Sequence, residues 1–229
     1  MRKTCAAALT ALLMSACAPA LAGSVDMLGT GGAMYAVPVT SMKEARYQRT
    51  IHQRYDFSCG SAAVATLLTY QYGYAVSEQV VFQAMYTHGN QEKIRREGFS
   101  LLDIKRYLES QGFEADGFEQ PLEALKDAHL PAIVLLSENG YHHFVVVKGV
   151  QEGRVLVGDP AMGTRAIPRA SFEGMWDNHL LFVIHNREGQ ATFNAGPDWR
   201  VAPRAPLGEG IDRTGLGNIV IPKHGPSDF

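Results

Sequence analysis

Gln53-Arg54-Tyr55-Asp56-Phe57-Ser58-Cys59-Gly60, running on into the apolar stretch Ser61 to Leu68, is the segment around which the chain is organised. Apolar residues at 62, 63, 65, 67 and 68 predict a buried helix from Cys59 to Tyr72, with Ser58 placed to cap it and Gly73 to end it. A thiol at the first position of a helix sits among unpaired backbone N–H groups and the positive end of the dipole, and both favour thiolate. Cysteine is also among the most often buried residue types, and alone it reads more readily as a small inert hydrophobe. A catalytic role therefore needs three partners elsewhere: an imidazole to share the proton, a group to orient the imidazole, and a donor aimed at an oxyanion.

The compartment bears on how the cysteines are read. Arg2 and Lys3, an apolar run from Cys5 to Met14, and Ala20-Leu21-Ala22 before Gly23 predict a secretory signal peptide over residues 1–22, too short to span a bilayer. Met14-Ser15-Ala16-Cys17 loosely resembles a lipid-modification box, which gives a lipoprotein anchored at Cys17 as the alternative. Cleavage after Ala22 removes Cys5 and Cys17 and leaves Cys59 alone in an exported, periplasmic chain, where an unpaired thiol points to a reactive group. One Cys and no paired His-x-x-x-His give no support to a zinc site, and no cofactor is implied. The 229 residues carry 21 Lys and Arg against 23 Asp and Glu, a net charge of −2, so no basic field argues for nucleic acid or an acidic membrane surface.

Outward from the cysteine helix, Gly23 to Ala36 is glycine-rich, with Gly31-Gly32 at its centre, and reads as a flexible leader; Tyr35 to Val39 suggests a short edge strand. Further helices are predicted from Ser77 to Tyr86, from Ser100 to Gln111 with a Ser100/Asp103 capping pair and Gly112 as the stop, and at Leu122 to Ala128. His88 to Gly98 between them reads as a polar loop. The pattern then turns to β: Ala132–Leu136, His142–Val150, Arg154–Gly158, Thr164–Ile167 and Leu180–His185, with one helix, Ala170 to Asn178, before the last. Helices first and a short-connected sheet after predict an α+β fold, a helical layer on an antiparallel sheet. Residues 188–229, rich in Pro and Gly, read as a tail extended over the surface or disordered.

The sheet supplies the candidate base. On Tyr141-His142-His143-Phe144-Val145-Val146-Val147 the two histidines point to opposite faces, so at most one meets Cys59. His52, His88, His129, His179, His185 and His224 fall in loops, element ends or the tail. If the His143 strand and the strand ending at Asp159 are neighbours through the turn near Glu152-Gly153, the acid comes alongside the imidazole; by sequence alone an Asp before Pro160 reads more readily as the start of a turn.

Gln53 six residues before Cys59-Gly60, a helix opening at the cysteine, His143-Phe144-Val145-Val146-Val147, Asp159-Pro160 and Phe172 to Trp176 before a last strand together resemble the C39 cysteine peptidases. The resemblance covers about Val37 to His185 and implies a papain-like fold over 37–187, with Cys59 as nucleophile, His143 as acid and base, Asp159 as orienter and Gln53 as oxyanion donor. Among exported members the chain is similar to the C39 peptidases of bacterial functional-amyloid secretion. This likeness implies a protein or peptide substrate, either an amyloid subunit or its outer-membrane pore. Two other expectations stay open at this point: a thiol amidase or transpeptidase acting on cell-wall peptides, and an inactive chaperone module. Gly60, Ala62 and Ala63 fit either a narrow cleft or close packing, and Gly31-Gly32 is a candidate self-processing site.

Overall fold

Two antiparallel strands, β1 (Ser24–Leu28) and β2 (Met34–Pro38), pair with Val25 opposite Val37 and Met27 opposite Tyr35. The stretch expected as a flexible leader thus carries a strand. The computed structural model describes residues 23–28, 34–138, 140–151, 153–176 and 178–203. The signal segment with Cys5 and Cys17, Gly31-Gly32, and the chain beyond 203 with His224 lie outside the described residues. Contacts divide the chain into residues 1–42, which hold the hairpin, and 43–229.

In the larger unit, α1 (Met42–Tyr47) leads to α2 (Cys59–Thr66), every residue of which is buried. Its small residues, Gly60, Ala62, Ala63 and Ala65, let its backbone lie close to the sheet, while Val64, Leu67 and Leu68 supply apolar area worth roughly 1.5–3 kcal/mol each when fully covered. The helix widens into a π segment, Leu67–Gln71, closed by Tyr72 N–H to the Leu67 carbonyl (3.2 Å), and Gly73 ends it at φ +67°. α3 (Glu78–His88) is capped by Ser77, and α5 (Leu101–Ser110) carries the predicted Ser100/Asp103 capping box. Between them the expected polar loop is a helix, α4 (Gln91–Glu97). Asn90 accepts from Lys93 N–H at its start and Gly98 stops it at φ +81°.

The sheet comprises β3 (Ala115–Glu119), β4 (Ala132–Glu138), β5 (Tyr141–Gln151), β6 (Arg154–Asp159), β7 (Gly163–Pro168) and β8 (Leu180–Ile184), all antiparallel in the order β3-β8-β4-β5-β6-β7. β3, unforeseen in the sequence, pairs along its length with β8. Both faces of the sheet are covered, so the architecture has three layers where two were expected. Phe144 and Val146 of β5 pack with α2, α3 and α5; Val145 and Val147 pack with Leu122 and Leu125 of α6 (Leu122–Ala128) and Phe172 and Trp176 at α7 (Arg169–Met175).

The first part of the predicted tail is also part of the fold. Thr192 N–H donates to the Gln71 carbonyl and Asn194 N–H to the Lys148 carbonyl, at 2.8 and 2.9 Å. A short α8 (Gly196–Trp199) then buries Asp198 and Trp199. The receiving point is a bulge in β5 between Val147 and Gly149, from which the fully buried Lys148 ammonium reaches Asp198 Oδ1 at 2.7 Å.

Candidate active site

Ser58 occupies the cap position of α2 but does not cap it. Its hydroxyl turns back to Tyr55, donating to the carbonyl at 3.0 Å and accepting the N–H at 3.1 Å. The first backbone bond of the helix runs from Ala62 N–H to the Ser58 carbonyl, so the N–H groups of Cys59, Gly60 and Ser61 have no acceptor within the helix. Cys59 stands at this uncapped end, buried, and is the free cysteine among the described residues. Burial pushes its thiol above the ordinary value, against the backbone N–H groups of Phe144, Gly60 and Cys59 itself, which favour thiolate; the nearby Asp159 charge adds to the rise. The helix-end effect expected from the sequence is present, but desolvation outweighs it.

His143 sits near the start of β5, two residues after Tyr141, whose ring stacks on the imidazole at 5.6 Å and 24°. Its Nε2 meets Asp159 Oδ2 at 3.2 Å, while its Nδ1 is buried with no hydrogen-bond partner. The thiol–imidazole hydrogen bond is therefore not formed in this structure. The thiol lies against the backbone N–H of Phe144, the residue after His143, and Tyr141, whose ring stacks on the imidazole, lines the cleft with Cys59, which brings the two groups to the same end of β5. His142, expected on the opposite face, also comes to Cys59: it lines both clefts with the thiol, so alternation alone does not separate the two histidines at this end of β5.

The sequence pairing of His143 with Asp159 follows from register. Val146 faces Gly158 across β5 and β6, and the same register carried outward brings Asp159, the last residue of β6, beside the His143 end of β5. Asp159 Oδ1 accepts from Ala161 and Met162 N–H at 2.9 and 3.1 Å, forming the turn that the Asp-Pro dipeptide suggested. Burial alone would raise this carboxyl; the hydrogen bond and charge of His143, the Ala161 N–H and Arg165 outweigh it and hold it below the usual carboxylate range. Gln53 is brought to the same place by its backbone N–H, which donates to the Pro160 carbonyl at 3.0 Å. Thus the four candidates converge from a loop, a helix end and two strands.

Two adjoining clefts, of about 560 and 310 Å³, share Cys59, Glu97, Gly98 and His142. One wall is the start of β5 and the other is the end of α4 with the turn into α5. The helix missed in the sequence thus builds half the groove.

A profile of the peptidase C39 family matches residues 48–188, which hold all four residues. The chain belongs to the peptidase C39 family. It is 42% identical over 154 residues to the "Probable functional amyloid protease FapD" of Pseudomonas aeruginosa, covering 67% of this chain and 68% of that one. A protein of the same name from Pseudomonas fluorescens is 37% identical over 174 residues, 76% of each chain. The peptidase domain of Streptococcus ComA, a bifunctional ABC transporter of a quorum-sensing pathway, superposes on 60% of this chain and 98% of its own with a TM-score of 0.50 at 21% identity, which shows a common fold. This C39 peptidase is accordingly a cysteine peptidase with the papain-like α+β architecture.

Two further side chains, Arg165 and Tyr141, complete the site. Arg165 of β7 donates to Asp159 Oδ2 from Nη2 and Nε at 3.0 and 3.2 Å, and to Glu138 at 3.1 Å. Asp159 faces Gly163 across β6 and β7, so Arg165 lies diagonally on the same face. Tyr141 shares a face with His143, and that alternation was its available signal. Gly60 is explained by packing: a Cβ there would stand 3.0 Å from Phe99 Cβ.

Proposed function

We propose that this protein is a periplasmic cysteine endopeptidase that cuts a peptide bond in a secreted or outer-membrane protein of a functional-amyloid system. The relatives named as amyloid proteases align over two thirds or more of both chains. The basic, then apolar, then small-residue N-terminus is the sequence feature that argues for export. Two adjoining clefts that meet at the thiol suit a chain passing through, hence cleavage within a polypeptide.

In this reading Cys59 Sγ passes its proton to His143 Nδ1 as sulfur attacks the scissile carbonyl carbon. Asp159 on Nε2 stabilises the imidazolium so formed. The carbonyl oxygen, now negative, is received by the Cys59 backbone N–H and a Gln53 side-chain N–H. His143 returns the proton to the leaving amine, leaving a thioester on Cys59. Water, deprotonated by His143, then releases the carboxylate and restores the thiol. The raised thiol makes this proton transfer part of the attack.

The observation that carries the reading is the buried imidazole with one nitrogen on a fixed carboxylate and the other without a hydrogen bond, at the end of β5 where the thiol meets the Phe144 N–H. The test is to incubate wild-type and Cys59→Ala protein with the amyloid subunit and the pore protein, resolve products by mass spectrometry, and capture bound protein with the alanine variant. Cleavage by wild type and capture without cleavage by the variant are expected. Proteolysis surviving in Cys59→Ala would refute the assignment, and release of peptidoglycan fragments instead would move the substrate to the cell wall.

A further inference from the structure

We propose that Arg165 is a positioning residue: it shares Asp159 Oδ2 with His143 and ties that oxygen to Glu138, so that the buried carboxylate stays aimed at the imidazole without trapping it as imidazolium. The inference rests on the reading of His143 as base and Asp159 as its orienter.

One side chain comes from each of four neighbouring strands: Glu138 from β4, His143 from β5, Asp159 from β6 and Arg165 from β7. Asp159 is fully buried, and its Oδ1 is committed to the Ala161 and Met162 N–H groups of the turn. Oδ2 is left to receive His143 Nε2 at 3.2 Å and, from Arg165, Nη2 at 3.0 Å and Nε at 3.2 Å. A carboxylate sealed from water with an imidazole as its one partner would hold that ring protonated, because nothing else offsets its charge. An imidazolium has no lone pair for a thiol proton. The guanidinium against the same oxygen supplies the offset and leaves the ring free to be neutral, with Nδ1, the atom found without a partner, as acceptor. Two N–H groups of one planar fork converge on Oδ2, and Nη2 reaches on to Glu138 Oε2 at 3.1 Å, so the guanidinium is itself held from its far side by a half-exposed acid. The other titratable or charged groups around this cluster are Cys59 of α2, Asp56 in the loop before it, Tyr141 and His142 of β5, Arg46 of α1 against Gly163, and Tyr47 of α1, which donates to the Ala161 carbonyl at 2.5 Å. None of these changes when Arg165 or Glu138 is replaced.

The test follows acylation of Cys59 by p-nitrophenyl acetate between about pH 5 and pH 9, with Cys59→Ala as baseline. Sulfur takes the acetyl group, p-nitrophenolate leaves as the measured burst, and the thiol proton passes to His143. Arg165→Gln should carry the acid limb of this profile up by about 1 pH unit: losing a positive charge disfavours thiolate and favours imidazolium alike, so the sign holds whichever of the two titrates. Arg165→Lys keeps the charge and loses the fork; its limb should stay within about 0.3 unit of wild type while the plateau rate falls about 10-fold. Glu138→Gln removes the opposing charge and should carry the limb down by about 0.5 unit. Loosened packing cannot move the limb in opposite directions. Should urea unfolding show that Arg165→Gln does not fold, the downward shift in Glu138→Gln and the unmoved limb in Arg165→Lys decide. An unmoved limb in a folded Arg165→Gln protein, an upward or absent shift in Glu138→Gln, or an Arg165→Lys limb displaced by about 1 unit would overturn this proposal alone. A wild-type protein with no Cys59-dependent burst, or an Asp159→Asn protein that acylates at the wild-type rate, would sink the reading of the site and this inference with it.

Discussion

Replacing Asp198 by Asn removes one charge from a sealed cluster and nearly nothing else. Asp198 Oδ1 takes Lys148 Nζ at 2.7 Å and Arg49 Nε at 2.9 Å, and Oδ2 takes Gln71 Nε2 at 3.4 Å. Breaking a buried ion pair ordinarily costs about 3–5 kcal/mol, because the remaining charge is stranded. Here the stranded charge has an escape. Burial, though opposed by Asp198, already pushes the Lys148 ammonium down from 10.5 to about 8. At pH 7 it is therefore held charged in the native state by only about 1 kcal/mol, and the variant can forfeit no more than that before Lys148 gives up its proton. Weakening the bonds to Gln71 and to the part-exposed Arg49 adds about 1–2 kcal/mol. The expected loss is about 2–3 kcal/mol, a fall in Tm of about 4–12 °C for a domain of this size. The pH dependence is the sharper readout. A lysine lowered in the native state binds fewer protons there than in the unfolded chain between about 8 and 10.5, so wild-type stability gains from this group as pH rises through that window. The ionic part of the deficit is lost once Lys148 is neutral in both proteins. Urea unfolding at pH 7 and pH 9 should show the gap narrowing by about 1 kcal/mol. A gap that stays constant or widens over that range would refute the reasoning.

His143→Ala should lower kcat/KM on the captured substrate by about 10²–10⁴-fold, and His142→Ala by less than about 10-fold, which decides between the paired and the groove-lining histidine. Asp159 is held below the usual carboxylate range, so the stability it contributes is present above the unfolded carboxylate value and is lost as pH falls through its lower native one; urea midpoints below pH 4 should fall in wild type and flatten in Asp159→Asn. Gly60→Ala drives a methyl against Phe99 Cβ and should cost about 1–3 kcal/mol, seen as a lower urea midpoint at unchanged slope.

Much of the secondary structure was legible because it is written locally. The Ser100/Asp103 box, the glycine stops at 73 and 112, and the apolar strands all carry their own signals. What escaped is made by partners. β3, Ala115-Asp116-Gly117-Phe118-Glu119, has little strand preference and forms because it pairs with β8. In α4 Ile94 alone is buried, which gives no periodicity to read, although Asn90 and Gly98 mark its ends. The strap over 188–203 has no pattern at all; the Lys148–Asp198 contact and the buried Trp199 hold it.

The site shows the same division within a few residues. Cys59, His143 and Asp159 sit at element ends that the sequence marks, so their positions could be read without coordinates. Gln53 could be placed by its distance from Cys59 but not explained, because Arg49 to Gln53 has no helix or strand to fix it. Four of these five residues are held by different distant partners: the Arg49 carbonyl by Lys148 Nζ, Thr50 Oγ1 by Thr164 Oγ1 at 2.6 Å, Ile51 N–H by Thr66 Oγ1 at 2.9 Å, and Gln53 N–H by the Pro160 carbonyl at 3.0 Å. These are polar bonds across more than a dozen residues, and no periodicity announces them. They also join the strap to the groove, since the lysine that anchors Asp198 is the one that grips Arg49. The placement of Gln53 is thus tied to a segment that composition alone reads as an extended or disordered tail.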